Sequence, residues 1–157
     1  IATMAKNPDL LVGAGTVLTP AQVDLAVDAG AKFLVSPGFS AETVARAAER
    51  GVPIVPGTVT PSEVMAALAT ELTLLKFFPA ANYGGTATLK AFASVFGRAS
   101  FIPTGGVSTS NLGDYLGLPN VPAVGGSWMV PPKAIDAGDF ATVQSLSAEA
   151  VAAAAAL

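Results

Sequence analysis

The sequence predicts an α/β protein built on parallel strands. Three observations carry that expectation. Short apolar runs recur at intervals of roughly 20 to 26 residues, the length of one strand plus one returning helix. The runs are apolar on both faces, as strands are when helices cover each side of a sheet. Each run also ends in small or rigid residues that stop a strand.

In chain order the expected strands are Leu11–Val17, Lys32–Gly38, Pro53–Thr58, Leu74–Ala80, Ser100–Gly106 and Ala123–Trp128. Helix starts are marked between them. Thr19-Pro20-Ala21-Gln22 and Thr60-Pro61-Ser62-Glu63 both read as capping boxes with proline at the first helical position. Ser40 can cap a helix that carries Val44, Ala47 and Ala48. The alanine-rich stretch Ala148–Leu157 is rich in strong helix formers and reads as a closing helix. Two architectures fit this order: an open doubly wound sheet of six strands, or part of a (β/α)8 barrel, which typically runs to ~200 residues or more.

Composition narrows the chemistry. Apolar residues make up 52% of the 157 and charged residues 12%, so the polar coat is sparse and much surface must be buried on several faces or between subunits. A net charge of −3 provides no basic patch for nucleic acid. Histidine and cysteine are both absent, which removes disulfides, thiol nucleophiles, zinc-type sites and imidazole acid–base catalysis. No apolar run approaches the length of a membrane span. No leader pattern is visible, so a cytoplasmic location is the expectation. No cofactor is expected.

The unusual residues fall at the C-terminal ends of the expected strands: Thr16, Pro37, Lys76, Thr104-Gly105-Gly106 and Gly125-Gly126-Ser127. In a barrel those ends ring one mouth, and the loops after the last two strands bind phosphate. The two Gly-Gly pairs are either such phosphate turns or simply tight turns. No G-x-G-x-x-G or Walker-type loop occurs, which disfavours a dinucleotide or ATP site. Lys76 sits inside an apolar strand, where Leu74, Lys76 and Phe78 share one face and Leu75 and Phe77 the other. It is either an edge-strand charge that blocks aggregation or a desolvated amine, nucleophilic toward carbonyls. Lys32, Lys90 and Lys133 read as solvated. None of the eleven carboxylates falls at a strand's C-terminal end.

The segments VGAGTVLTPAQ, SPG, KFFPA, PTGGV and GGSWMVP, in this order and across essentially the whole chain, resemble the bacterial 2-dehydro-3-deoxy-phosphogluconate aldolases, a family that also includes 4-hydroxy-2-oxoglutarate aldolase activity. The resemblance implies a (β/α)8 barrel and a metal-independent class I aldolase, a homotrimer when complete. It also implies cleavage of a phosphorylated keto-acid sugar to pyruvate and glyceraldehyde 3-phosphate. By position, Lys76 matches the imine-forming lysine. Thr16, Pro37, Phe78 and Thr104 match residues lining the pyruvate end. Gly105, Gly106, Gly125, Gly126 and Ser127 match the turns that hold phosphate. The family's acid–base glutamate and substrate-clamping arginine lie on its second strand, and no counterpart is visible here. The chain opens on Ile1, not Met, in what reads as the tail of a second helix. The expectation is therefore a single barrel domain over residues 1–157 that is N-terminally truncated, with about six of the eight strand–helix units present. Without the glutamate, a non-catalytic module that binds a phosphorylated ligand stays open as an alternative.

Overall fold

In the computed structural model, which describes residues 1–157, three pairs of neighbouring strands run parallel. The chain divides into two units, Ile1–Phe78 with Arg98–Ser100, and Pro79–Gly97 with Phe101–Leu157.

In the first unit, β1 (Gly13–Gly15), β2 (Phe33–Val35) and β3 (Ile54–Val55) pair in that order, with Ala14 opposite Leu34 and Leu34 opposite Ile54. A second ladder joins β4 (Gly57–Thr58) to β5 (Leu74–Phe77), with Gly57 opposite Lys76 and Thr58 opposite Phe77. The run expected as one strand, Pro53–Thr58, is thus two. Pro56 has no N–H to donate, so the ladder breaks at it, while its carbonyl still accepts from the Lys76 N–H at 2.8 Å.

The helices α1 (Pro20–Asp28), α2 (Ala41–Glu49) and α3 (Pro61–Leu68) each follow a strand. Val23 and Ala26 of α1 and Val44 and Ala47 of α2 bury against Ala14, Leu34 and Ile54 in one apolar cluster. The solvent side of α1 and α2 carries an ion-pair network. Arg46 holds Asp24 at 2.8 Å and Glu49 at 2.7 Å, and Arg50 holds Asp28 at 2.6 Å and also reaches Asp24. These pairs are solvent-exposed, so each contributes little.

The second unit takes up β6 (Ser100–Pro103) after its first residue, followed by α5 (Leu112–Leu116), α6 (Pro132–Asp136) and α7 (Phe140–Ala155), and it also contains α4 (Gly85–Val95). Phe101 is fully buried beside the Phe92 ring, 5.6 Å between centroids. The Phe101 N–H donates to the Asn120 carbonyl at 2.7 Å, and Asn120 Nδ2 donates to the Leu89 carbonyl at 2.9 Å, tying strand, loop and helix together. Ala148–Leu157 falls mostly within α7, whose N-cap is Asp139. The expected sixth strand, Ala123–Trp128, does not form: only Gly125 bridges Thr104. Two successive glycines offer no side chains to pack on a pleated surface. The chain after them closes into a turn, with the Val130 N–H on the Ser127 carbonyl at 3.1 Å.

The two helix caps that look alike in sequence differ in structure. At Thr60 the box is complete: its hydroxyl accepts from the Glu63 N–H, and Glu63 accepts from the Thr60 N–H at 2.8 Å. At Thr19 only the first half forms: Gln22 Oε1 takes the Leu18 N–H at 2.6 Å but not the Thr19 N–H, whereas Glu63 Oε2 takes both the Val59 and the Thr60 N–H. Thr60→Ala should therefore lower unfolding stability by about 1 kcal/mol, with Thr19→Ala nearer the bottom of the ~0.5–2 kcal/mol range for lost caps. Urea unfolding of the two variants checks the order; a larger loss at Thr19 would contradict it.

Candidate active site

β5 positions the lysine singled out in the sequence. Leu75 and Phe77 are fully buried and anchor the strand by one face. Lys76 lies on the other face, half-buried, with Nζ 4.3 Å from the centroid of the Phe78 ring. Its backbone is held by one neighbouring segment: the N–H donates to Pro56 O at 2.8 Å, and the carbonyl accepts from Thr58 Oγ1 at 3.5 Å.

Burial pushes the Lys76 ammonium below the ordinary lysine value of 10.5. All four ion pairs of the chain involve Arg46 or Arg50, so no carboxylate opposes that shift. The Phe78 ring does oppose it, since an aromatic face favours the cation by about 0.5–2 kcal/mol. Desolvation has the larger reach, several pKa units for a fully buried amine, and it sets the direction. The amine is therefore easier to deprotonate than a solvated one. Lys32, Lys90 and Lys133 are exposed, as expected from the sequence, with Lys133 on α6.

The other expected residues of this unit are placed unevenly. Pro37 follows β2, and its carbonyl packs directly against Gly57, the ladder partner of Lys76. Pro37, Gly57 and Lys76 thus form a lateral row at the strand ends. Thr16 also follows the end of its strand, β1, but its side chain is exposed. It lines a separate pocket of about 290 Å³ with Gly13, Gln22 and Leu25. Pro37 lines a smaller one of about 210 Å³ with Ser36, Phe39 and Thr43. Neither pocket is lined by Lys76.

Gly57 is a residue that sequence reasoning passed over. A Cβ there would collide with the Pro37 carbonyl, a backbone group that cannot swing aside, so only glycine permits this approach. The signal was present as a glycine directly after proline inside a strand-like run.

In the second unit the two glycine turns lie side by side. Thr104 bridges Gly125, and the Gly125 N–H donates to Pro103 O at 2.9 Å. Gly105 and Gly106 have φ of 86° and 84°, a left-handed conformation that glycine adopts at no steric cost. Gly126 lies under the Trp128 ring, and Ser127 is exposed. The N–H groups of Gly106, Val107, Gly126 and Ser127 donate to no acceptor within the chain. Thr104 Oγ1 is buried and has no hydrogen-bond partner. The second unit thus presents unused backbone donors at two adjoining turns, suited chemically to an anion.

A family model described as KDPG and KHG aldolase matches residues 1–146. The 2-dehydro-3-deoxy-phosphogluconate aldolase of Treponema pallidum is 49% identical over 139 residues, covering 88% of this chain and 66% of that protein. The chain therefore spans just under two thirds of that relative's length. A crystal structure of KDPG aldolase from Legionella pneumophila, with pyruvate captured at low pH as a covalent carbinolamine intermediate, is 45% identical. It superposes with a TM-score of 0.86, over 88% of this chain and 68% of that one. The 2-keto-3-deoxy-6-phosphogluconate aldolase of Zymomonas mobilis with 3-phosphoglycerate has 42% identity and a TM-score of 0.82, over 84% and 63% of the two chains. The chain belongs to the KDPG and KHG aldolase family.

Gly57→Ala should destabilise the protein by about 1–3 kcal/mol, the usual cost of overpacking a tight site. Loss should show as a lower urea midpoint, and an unchanged midpoint would contradict the close approach to Pro37.

Proposed function

We propose that the protein is a class I aldolase that cleaves 2-dehydro-3-deoxy-6-phosphogluconate to pyruvate and glyceraldehyde 3-phosphate, with Lys76 as the nucleophile. The observation that carries this reading is a half-buried lysine without a counter-ion, its pKa lowered by burial. It sits in a chain 45% identical to a protein that held pyruvate as a covalent carbinolamine.

In this reading the neutral Lys76 amine attacks the substrate's C2 carbonyl, and loss of water gives an iminium. The C4 hydroxyl then gives its proton to a water molecule, the family's acid–base glutamate having no counterpart among these residues, and the C3–C4 bond breaks. The bonding pair passes into the iminium to form an enamine, and glyceraldehyde 3-phosphate departs. Protonation of the enamine at C3 and hydrolysis release pyruvate and restore the amine. The iminium is the electron sink, so no step needs a metal. Phe78, beside the amine, excludes water from one side. Thr104, with its unpartnered hydroxyl, is assigned to the pyruvate end together with Thr16 and Pro37. The turns at Gly105-Gly106 and Gly125-Gly126-Ser127 are assigned to the substrate phosphate; the related Zymomonas mobilis enzyme was crystallised with 3-phosphoglycerate.

The proposal extends to the architecture and setting of the whole protein. A single (β/α)8 barrel domain, of which these residues supply about six strand–helix units, fits the parallel ladders and the five expected runs that form strands. A homotrimer would cover exposed apolar side chains such as Leu11, Leu25 and Val95. No helix is long and apolar enough to cross a membrane, and a cytoplasmic location is the setting we assign.

The direct test incubates the protein with pyruvate and borohydride and maps the adduct by mass spectrometry. The adduct is expected on Lys76 and absent in Lys76→Ala; an adduct on Lys32, Lys90 or Lys133 would overturn the assignment. Because burial lowers the Lys76 pKa, the reactive neutral fraction grows as pH rises through that lowered value. Half-maximal trapping should therefore fall below pH 10.5. Gly106→Val, strained at its positive φ and 2.5 Å from the Ala81 methyl, should weaken phosphorylated substrate far more than pyruvate. Equal losses would show that the turn only shapes the fold. Cleavage should be unaffected by EDTA; a loss restored by a divalent ion would contradict the iminium as sole electron sink.

A further inference from the structure

Three consecutive carbonyls of the first glycine turn are each pinned by one donor of the same unit. Thr104 O accepts from the Ala80 N–H at 2.8 Å, Gly105 O from the Ala81 N–H at 3.1 Å, and Gly106 O from Asn111 Nδ2 at 2.9 Å. In a planar trans peptide the C=O and the N–H that follows it point in opposite directions. Pinning the three carbonyls therefore fixes where the N–H groups of Gly105, Gly106 and Val107 point, away from the three donors. Those of Gly106 and Val107 bond to nothing in the chain.

Two of the three anchors are main-chain groups. The third is a side chain, and it is clamped at both ends. Asn111 Oδ1 accepts from the Ser108 N–H at 2.9 Å while Nδ2 donates to Gly106 O. Rotating the amide by half a turn would set donor against donor and acceptor against acceptor, so its orientation is fixed. Asn111 thus spans the backbone on either side of Val107, closing a turn whose two glycines would otherwise be free to swing.

We infer that Asn111 is the positioning residue of the anion site: it aims the Val107 N–H, next to that of Gly106, at the phosphate monoester of the substrate. This rests on the reading of the glycine turn as the phosphate site. Asn111 touches no reacting atom and acts only through the peptide it holds.

The test titrates the full chain with inorganic phosphate, following the backbone amide signals of Gly106 and Val107 by NMR. Asn111→Ala should weaken phosphate by about tenfold, the scale of one misdirected charge-assisted hydrogen bond, while pyruvate trapping on Lys76 stays near wild type. Asn111→Asp keeps the acceptor for Ser108 but cannot donate to Gly106, so it should retain the loop and weaken phosphate at least as much. If Gly106→Val abolishes binding and the folded Asn111 variants bind normally, the Asn111 role is overturned while the phosphate turn stands. If phosphate shifts neither amide in the wild type, both fall. Parallel loss of phosphate binding and pyruvate trapping, or unfolding of both Asn111 variants, would make Asn111 a structural residue and overturn the inference.

Discussion

An amine attacks a carbonyl only when neutral, and a lysine gives up its proton near neutral pH only where its ammonium is poorly solvated. The arrangement of the first unit serves that constraint. Leu75 and Phe77 lock β5 into the interior by one face, which leaves Lys76 no freedom to turn its amine out through a strand rotation. The Lys76 N–H is tied to Pro56 and Gly57 stands opposite, where the missing Cβ lets the Pro37 carbonyl approach. Phe78 then shields one side of the amine at a modest electrostatic cost, because its ring favours the cation while its bulk removes water. No carboxylate reaches Nζ. A counter-ion there would hold the proton on and raise the pKa, cancelling the effect of burial.

Under the proposed function, the second unit meets a different demand, the recognition of an anion without spending positive charge. The chain has only eight lysines and arginines in total. Arg46 and Arg50 are committed to the ion pairs between α1 and α2. Backbone N–H groups do the work of a cation if they are held in place, and holding them is a matter of where the carbonyls go. The main chain at Ala80 and Ala81 supplies two anchors, and Asn111 supplies the third. Left-handed glycines permit the turn; the anchors select one conformation of it.

Much of this was legible in the sequence, and the failures have physical causes. Five of the six expected strands form, because an apolar run on both faces can only be satisfied by burial on both faces. The sixth, at Ala123–Trp128, does not form because Gly125-Gly126 offers a pleated surface no side chains to pack, however apolar its neighbours. Pro56 divided a strand for want of one N–H. The caps at Thr19 and Thr60 have the same sequence pattern, yet Glu63 accepts from both the preceding N–H and the cap N–H while Gln22 accepts only from Leu18, a difference that spacing alone cannot reveal. The lysine was legible because a charge inside an apolar strand needs a reason. Gly57 and Asn111 were not singled out, since each acts through a backbone group of another segment. Only the fold reveals that Pro37 meets the one and Gly106 the other.

The central claim is that burial keeps the amine of Lys76 ready to react. A direct NMR titration of the Lys76 side chain in the native protein tests it, read against the ordinary lysine value of 10.5. The account predicts that Lys76 loses its proton below that value, because burial penalises its ammonium. It also predicts that Phe78→Leu, which keeps an apolar cover but removes the ring face, lowers the midpoint further. A Lys76 midpoint at or above 10.5 would contradict it.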